Sequence, residues 1–93
     1  MLKDKYIDII KSIITKYLSE YDLYLFGSRA KGTAREYSDI DLAISSKELN
    51  SLIKSQIEID FENSLIPWKI DVVDLNNIDD NFKSLIENTM IKL

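Results

Sequence analysis

Cysteine and histidine, two residue types common in active sites, are both absent from this chain of 93 residues. The lack of cysteine excludes disulfides and thiol chemistry. The lack of histidine excludes imidazole metal ligands and a histidine base that activates a nucleophile. Any catalysis must therefore rely on carboxylates, on cationic side chains and on a metal that prefers oxygen ligands.

Long apolar runs and a surplus of positive charge are missing as well. No run approaches the roughly 20 residues of a membrane span, and no signal peptide is evident, so we expect a cytoplasmic protein. The net charge of −4 argues against broad binding of nucleic acid, which needs a basic face. The length predicts a single domain over residues 1–93. We therefore expect the acceptor of any reaction to be a separate molecule.

Glycine is scarce, and both glycines lie in one segment, residues 25–32 (LFGSRAKG). Glycine allows a backbone to turn sharply or to approach a ligand closely. Residues 22–26 are apolar and rich in aromatics, which predicts a strand. Gly27 and Ser28 then predict a tight turn into a short helix. The alternative is a plain glycine turn in which Ser28 only caps the helix.

The composition of this turn also suits a phosphate. Free backbone N–H groups at the start of a helix, together with the Ser28 hydroxyl, would hold the phosphates of a nucleotide. Arg29 or Lys31 would neutralise further negative charge. On this interpretation the candidate nucleotide-binding residues are Gly27, Ser28, Arg29 and Lys31.

Two aspartates, Asp39 and Asp41, follow the glycine segment within a predicted strand over residues 38–45. Because side chains alternate along a strand, both carboxylates lie on one face, with Ala43. Two carboxylates this close repel each other unless a cation lies between them. The alternative is a half-buried strand whose polar face is solvated.

A third aspartate, Asp71, interrupts an otherwise apolar strand predicted over residues 68–75. Burying it is costly unless it is paired. A helix predicted over about 47–62 joins the second and third strands, which makes them parallel neighbours. Asp71 would then lie beside Asp39 and Asp41, whereas Asp74 is expected to be solvated. Three such carboxylates favour Mg²⁺ or Mn²⁺, and two ions would assist a phosphoryl displacement.

The remaining elements are amphipathic helices. Apolar residues recur at helical spacing over residues 4–19 and again over about 79–90, where Phe82, Leu85 and Ile86 are expected to face inward. Ser45 and Glu48 fit a capping box at the start of the 47–62 helix. The predicted order is helix, strand, short helix, strand, helix, strand, helix.

These segments match a known family. The sequence from Gly27 to Gly32 (GSRAKG), followed by residues 38–42 (SDIDL), resembles the signature of the DNA polymerase β-like nucleotidyltransferases. The compact length is similar to that of the minimal nucleotidyltransferases of bacteria and archaea, and residues 68–73 (WKIDVV) are similar to the family's third-carboxylate strand. The resemblance covers nearly the whole chain. It implies an α/β fold, a small palm with a short mixed sheet of about three to four strands flanked by helices.

The resemblance also implies roles for these residues. The family's Gly-Ser pair, here Gly27 and Ser28, contacts the nucleoside triphosphate. Its metal carboxylates correspond to Asp39, Asp41 and Asp71, and the base role falls on Asp71. It implies ATP as substrate and Mg²⁺ as cofactor, with two ions expected.

The family further implies a protein partner. Minimal members commonly form a complex with an all-helical HEPN protein, and many such pairs are toxin–antitoxin systems. In these pairs the nucleotidyltransferase can silence the HEPN ribonuclease by transferring AMP to a tyrosine. The alternative is an antitoxin that masks its partner by binding alone. Transfer to a small molecule such as an aminoglycoside is a third, weaker interpretation, because those enzymes carry more protein than the palm.

Overall fold

The computed structural model describes residues 2–32 and 38–93. The elements in this part of the chain are α1 (Asp4–Thr15), β1 (Asp22–Phe26), α2 (Ser28–Lys31), β2 (Ile40–Ser45), α3 (Ser51–Glu62), β3 (Ile70–Asp74), α4 (Asp80–Glu87) and β4 (Ile91–Lys92). A short 3-10 helix over Leu75–Asn77 follows β3. The predicted order is confirmed, with β4 added at the C-terminal end. Among the described residues, no helix has the length and apolar character needed to cross a bilayer.

The strands form one mixed sheet in the order β3-β2-β1-β4. β1 runs antiparallel to both β2 and β4. β2 and β3 are parallel neighbours joined through α3. A parallel pair requires a crossover connection, which is why the helical pattern between these strands predicted their direction correctly. The predicted α/β class with a short mixed sheet and flanking helices is confirmed.

Side-chain alternation along the strands divides the core into two clusters. The larger cluster joins Leu42 and Ile44 of β2 to buried residues of α1 and α3, among them Ile14 and Ile57. The smaller one lies on the opposite face of the sheet, where Ala43 belongs with Phe26, Leu75 and Ile86. Alternate residues of a strand point to opposite faces. Asp41 therefore lies on the face of the smaller cluster.

The predicted start of α3 was wrong. Ser45 ends β2, and the Glu48 carboxylate accepts hydrogen bonds from the backbone N–H of Ser19 (2.8 Å) and from its hydroxyl. The helix begins at Ser51, and the Asn50 side chain caps it by accepting a hydrogen bond from the backbone N–H three residues on (2.9 Å). A capping box and an Asn cap are both locally favourable. The tertiary contact of Glu48 with the α1–β1 connection decided between them.

The predicted inner face of α4 was only partly correct. Ile86 is buried, but Phe82 is 38% exposed and Leu85 is 74% exposed. The helix ends at Glu87, and the chain then turns so that Ile91 pairs with Leu25. Because β4 is only two residues long, its alternation is too short to be recognised in the sequence.

A pH-sensitive contact joins α1 to α3. The Asp60 carboxylate accepts a hydrogen bond from the Tyr17 hydroxyl (2.7 Å) and pairs with the Lys16 ammonium (2.8 Å). The hydrogen bond from Lys16, followed by that from Tyr17, holds the pKa of Asp60 below its ordinary value of 3.8. The folded protein therefore binds this proton less tightly than the unfolded chain does.

Asp60→Asn is expected to make the protein less sensitive to acid. A lowered carboxyl pKa contributes stability above the unfolded pKa, and that stability is lost as the pH falls through the folded pKa. Unfolding in urea at a series of pH values from about 6 to about 2 should show a smaller loss of free energy in the variant than in the wild type. The exposed substitution Glu87→Gln is the control. Equal pH dependence in Asp60→Asn and the wild type would contradict the assignment.

Candidate active site

The candidate site residues meet at one end of the sheet, where β1 ends and β2 and β3 begin. Phe26 lies opposite Asp41 in the antiparallel pair, and Asp41 lies opposite Asp71 in the parallel pair. These three positions form one row across the sheet. Residues in register on neighbouring strands project from the same face. The structure thus places Asp41 and Asp71 side by side, as expected from the sequence.

Gly27 forms the turn between β1 and α2, and Asp41 lies directly against it. The backbone of Gly27 has φ +74° and ψ −154°, a combination that is almost restricted to glycine. A Cβ atom added at Gly27 would lie 2.5 Å from Oδ2 of Asp41. Any side chain at this position would therefore displace the carboxylate or the turn.

The charge state of Asp41 reflects its neighbours. Partial burial raises the pKa of its carboxyl, and the negative charges of Asp71 and then Asp39 raise it further. Asp41 and Asp71 are half-buried, whereas Asp39 is exposed just before β2. The negative charges of Asp71 and Asp39 thus act on Asp41, and a cation beside Asp41 would relieve that repulsion.

The donor chemistry of this group fits a divalent metal ion. Its ligands would all be carboxylate oxygens, which Mg²⁺ and Mn²⁺ prefer. Within residues 2–32 and 38–93, no three acidic side chains lie close enough together to enclose an ion. Asp71 also has a cationic neighbour, because the Lys69 ammonium lies 3.6 Å from its Oδ1 in an exposed ion pair. The assignment of Asp39, Asp41 and Asp71 as ligands stays a prediction that the chemistry and the Gly27 contact support.

Two of the predicted nucleotide-binding residues lie at the two ends of α2, which directly follows the Gly27 turn. Ser28 is the first residue of this helix and is half-buried, while Lys31 at its end is exposed. The backbone N–H of Lys31 donates to the Gly27 carbonyl (3.1 Å), which closes the turn. An exposed ammonium within one helical turn of a glycine turn suits the binding of phosphate oxygens.

The guanidinium of Arg29, the remaining predicted phosphate ligand, is engaged inside the protein. Arg29 is 8% exposed. Its Nε and Nη2 donate to the backbone carbonyl of Ser38 at 3.2 and 2.7 Å. Its guanidinium carbon lies 4.6 Å from the centre of the Trp68 ring. These contacts hold the group against the chain that precedes β2 and β3. The role of Arg29 as a phosphate ligand stays a prediction.

Asp74, which we expected from the sequence to be solvated and outside the site, caps a neighbouring helix. Its carboxylate accepts a hydrogen bond from the backbone N–H of Asn76 (3.0 Å) and caps the 3-10 helix. Asp74 pairs with Ile44, three positions along the ladder from the pairing of Asp41 with Asp71. At about 3.3 Å per residue this separation is roughly 10 Å. Asp71 is therefore the β3 carboxylate that adjoins Asp41.

A cleft of about 390 Å³ opens beside Asp71, between the C-terminal part of α3 and the start of β3. Its walls combine apolar and acidic side chains, including Glu58, Ile59, Glu62, Pro67 and Trp68. Neither Gly27 nor Asp41 lines it. The cleft therefore adjoins the row of Phe26, Asp41 and Asp71 at the end where Asp71 lies.

Sequence reasoning missed the aromatic support of this site. Trp68 makes an edge-to-face contact with Tyr6 of α1, with ring centres 4.9 Å apart, and carries Arg29 on its face. The three residues are far apart in the sequence, so no local pattern joins them. A single tryptophan near the start of the Asp71 strand was the one available signal.

Comparison with known proteins identifies the family. The model of the nucleotidyltransferase domain family matches residues 5–93. The chain is 34% identical over 91 residues to the "Probable protein adenylyltransferase MntA" of Haemophilus influenzae, which covers 97% of this chain and 80% of that protein.

Solved structures share the fold. A toxin–antitoxin crystal structure with AMP-PNP superposes with a TM-score of 0.78 at 22% identity, covering 91% of this chain and 69% of that chain. A complex of a tri-AMPylated Shewanella oneidensis HEPN toxin with an MNT antitoxin gives a TM-score of 0.64 at 21% identity, covering 96% of this chain and 66% of that chain. The family predicted from the segments at 27–32 and 38–42 is confirmed. The chain belongs to the nucleotidyltransferase domain family.

Proposed function

We propose that this nucleotidyltransferase transfers AMP from ATP to a tyrosine hydroxyl of a HEPN partner in a Mg²⁺-dependent reaction, and so acts as an antitoxin. The observation that carries the proposal is the position of the Asp41 carboxylate, held between the Gly27 turn and Asp71 of the parallel neighbour strand. This arrangement puts carboxylates that need a cation against a turn that only glycine can form.

Each group has a distinct task in the proposed reaction. Asp39, Asp41 and Asp71 would hold Mg²⁺, which neutralises phosphate charge when bound. Ser28 and Lys31 would bind and orient the phosphates. The tyrosine oxygen forms a bond to the α-phosphorus while the bond from that phosphorus to pyrophosphate breaks. The phenolic proton passes to Asp71, because a carboxylate is the available base in a chain without histidine.

The named relatives support this choice of substrates. The Haemophilus influenzae relative is named a protein adenylyltransferase. One structure of the same fold is a toxin–antitoxin with AMP-PNP, and another contains a HEPN toxin that carries AMP. A shared fold alone leaves the acceptor open, so the acceptor has to be tested directly.

Exposed apolar side chains are compatible with a protein partner, whether that partner is modified or only masked. Leu65 is 89% exposed, Leu85 is 74% exposed and Leu52 is 68% exposed. Apolar side chains on a small protein's surface are candidates for an interface when they cluster. The cleft beside Asp71 has room for a side chain of the partner, whether the partner is modified or only masked.

The test is the intact mass of a HEPN protein co-expressed with the wild type or with Asp39→Asn/Asp41→Asn. We expect a gain of one or more AMP units with the wild type and none with the double variant, because the variant lacks two carboxylates that the reaction needs. Repeating the reaction with purified proteins, ATP and Mg²⁺, with and without EDTA, tests the metal.

Asp74→Asn is the matched control, because it removes a carboxylate from β3 that does not adjoin Asp41. An amide oxygen can still cap the 3-10 helix, so folding and transfer should be retained. A tight complex without any mass change in all three cases would overturn transfer and establish masking.

A further inference from the structure

Arg29 is the charged side chain that the fold buries within residues 2–32 and 38–93. Burying a cation is unfavourable unless its lost hydration is replaced. Here the replacement has two parts: two N–H groups donate to the Ser38 carbonyl, and the guanidinium carbon lies 4.6 Å from the centre of the Trp68 ring. The protein therefore keeps a charged side chain whose burial costs free energy, at a position where an apolar side chain could have packed instead.

The contacts of Arg29 join three segments that carry the site. Arg29 belongs to α2, directly after the Gly27 turn. Ser38, whose carbonyl it binds, immediately precedes Asp39, and Trp68 lies three residues before Asp71. A backbone hydrogen bond from the Ile40 N–H to the Lys69 carbonyl (2.9 Å) joins two of these segments directly, at the starts of β2 and β3.

Only a guanidinium satisfies both contacts at once. Its edge presents several N–H donors in a fixed plane, and its face stacks on an aromatic ring. A lysine ammonium is a point charge without a planar face, so it can keep the charge but not the combined geometry. The Trp68 ring also makes an edge-to-face contact with Tyr6 of α1.

We infer that Arg29 is a positioning residue that sets Asp39 and Asp71 relative to the Gly27 turn. The expected effect of Arg29 on AMP transfer rests on the proposed function. Its expected effect on the relative positions of the three segments does not. It replaces the interpretation of Arg29 as a phosphate ligand, which the sequence suggested. A misplacement of about 1 Å in a catalytic group can lower the rate about 100-fold. We therefore expect substitution of Arg29 to lower kcat.

The experiment compares Arg29→Met, which removes the charge, and Arg29→Lys, which keeps it, with Ile14→Val, a core substitution distant from the site in sequence and packed in the larger cluster. The first measurement is amide hydrogen exchange of Ile40 relative to amides at the centre of α1. In Arg29→Met, Ile40 should exchange about tenfold faster while the α1 amides change little. In Ile14→Val, the exchange of both sites should shift together.

The second measurement is steady-state AMP transfer. We expect kcat to fall about 100-fold in Arg29→Met with the KM for ATP within about threefold of the wild type. Arg29→Lys should lose an intermediate amount. Ile14→Val should retain wild-type kcat after correction for the folded fraction.

Three outcomes decide the inference. A KM for ATP raised about tenfold with kcat unchanged would put Arg29 on the phosphates and overturn positioning. Wild-type exchange of Ile40 in Arg29→Met would also overturn it. If the wild type transfers no AMP, the proposed function fails, and the selective loss of Ile40 protection alone then supports or refutes positioning. Arg29→Lys keeps the test decisive if Arg29→Met does not fold.

Discussion

Asp41→Asn is expected to abolish nucleotide transfer and, at the same time, to stabilise the protein in the absence of metal. The substitution keeps the size of the side chain but removes a negative charge that burial, Asp71 and Asp39 all disfavour. Because the group is partly solvated, we expect a gain of at most about 1 kcal/mol in the free energy of unfolding. Transfer should fall by at least about 100-fold, since losses of this size already follow from disturbing residues behind a metal ligand.

The pH dependence of this gain identifies its cause. A carboxyl whose pKa is raised in the folded state binds its proton more tightly when the protein is folded. The resulting penalty is absent below the unfolded pKa and develops as the pH rises through the folded pKa. The stability difference between Asp41→Asn and the wild type should therefore be small below about pH 4 and largest near neutrality.

The measurements are urea unfolding at several pH values, in EDTA and in Mg²⁺, together with AMP transfer. Mg²⁺ should stabilise the wild type but not Asp41→Asn, because a ligand that binds only the folded state adds to its stability. Asp74→Asn should respond to Mg²⁺ as the wild type does. Retained transfer in Asp41→Asn, or a loss of stability at neutral pH in EDTA, would contradict the role of Asp41.

Gly27→Ala is expected to damage both stability and nucleotide binding. The backbone at Gly27 lies in a region that is almost restricted to glycine, and the new Cβ would lie 2.5 Å from Oδ2 of Asp41. We expect a loss of about 2–4 kcal/mol in the free energy of unfolding, from backbone strain and from displacement of the carboxylate. If the Gly27 turn binds the phosphates as proposed, affinity for ATP with Mg²⁺, measured by calorimetry, should fall at least about tenfold, because the new Cβ fills the approach to the turn.

Gly32→Ala is the matched control within the same segment. Gly32 also has a positive φ, +76°, but its backbone is in the left-handed helical region, and a Cβ there would meet no atom of residues 2–32 and 38–93 within 4 Å. Its cost should be about 1 kcal/mol, with ATP affinity unchanged. Equal losses in the two variants would show that the collision with Asp41 is unimportant.

A double variant isolates that collision. In Gly27→Ala/Asp41→Ser the shorter side chain makes room for the new Cβ, so the combined loss of stability should be smaller than the sum of the two single losses. We expect a coupling of at least about 1 kcal/mol, which is typical of residues in direct contact. Transfer should remain absent, because the carboxylate is missing. Additive losses would mean that the two residues do not interact as the structure indicates.

Much of the fold follows from short-range patterns. The apolar run before Gly27, the alternation around Asp41 and the helical spacing of α3 predicted the strands, their direction and the proximity of Asp41 to Asp71. These predictions succeed because parallel neighbours require a crossover helix and because alternation fixes which residues share a face. The family signature lies on the same residues.

Contacts between distant segments could not be predicted in this way. Glu48 bonds to Ser19, so α3 starts at an Asn cap instead of a capping box. Phe82 packs edge to face with Phe26, with ring centres 6.5 Å apart, yet stays partly exposed. In each case local preferences allowed two arrangements of similar energy, and a tertiary contact selected one.

By itself, the sequence of this protein determined the glycine turn, the carboxylates on two parallel strands and the family to which they belong. Only the tertiary structure shows what Arg29 contacts. In the sequence alone, the charge of Arg29 and its position beside Gly27 are those expected of a phosphate ligand. The fold brings Trp68 and the Ser38 carbonyl to it, so that the buried guanidinium stacks on a ring and donates from two of its nitrogens to a backbone carbonyl.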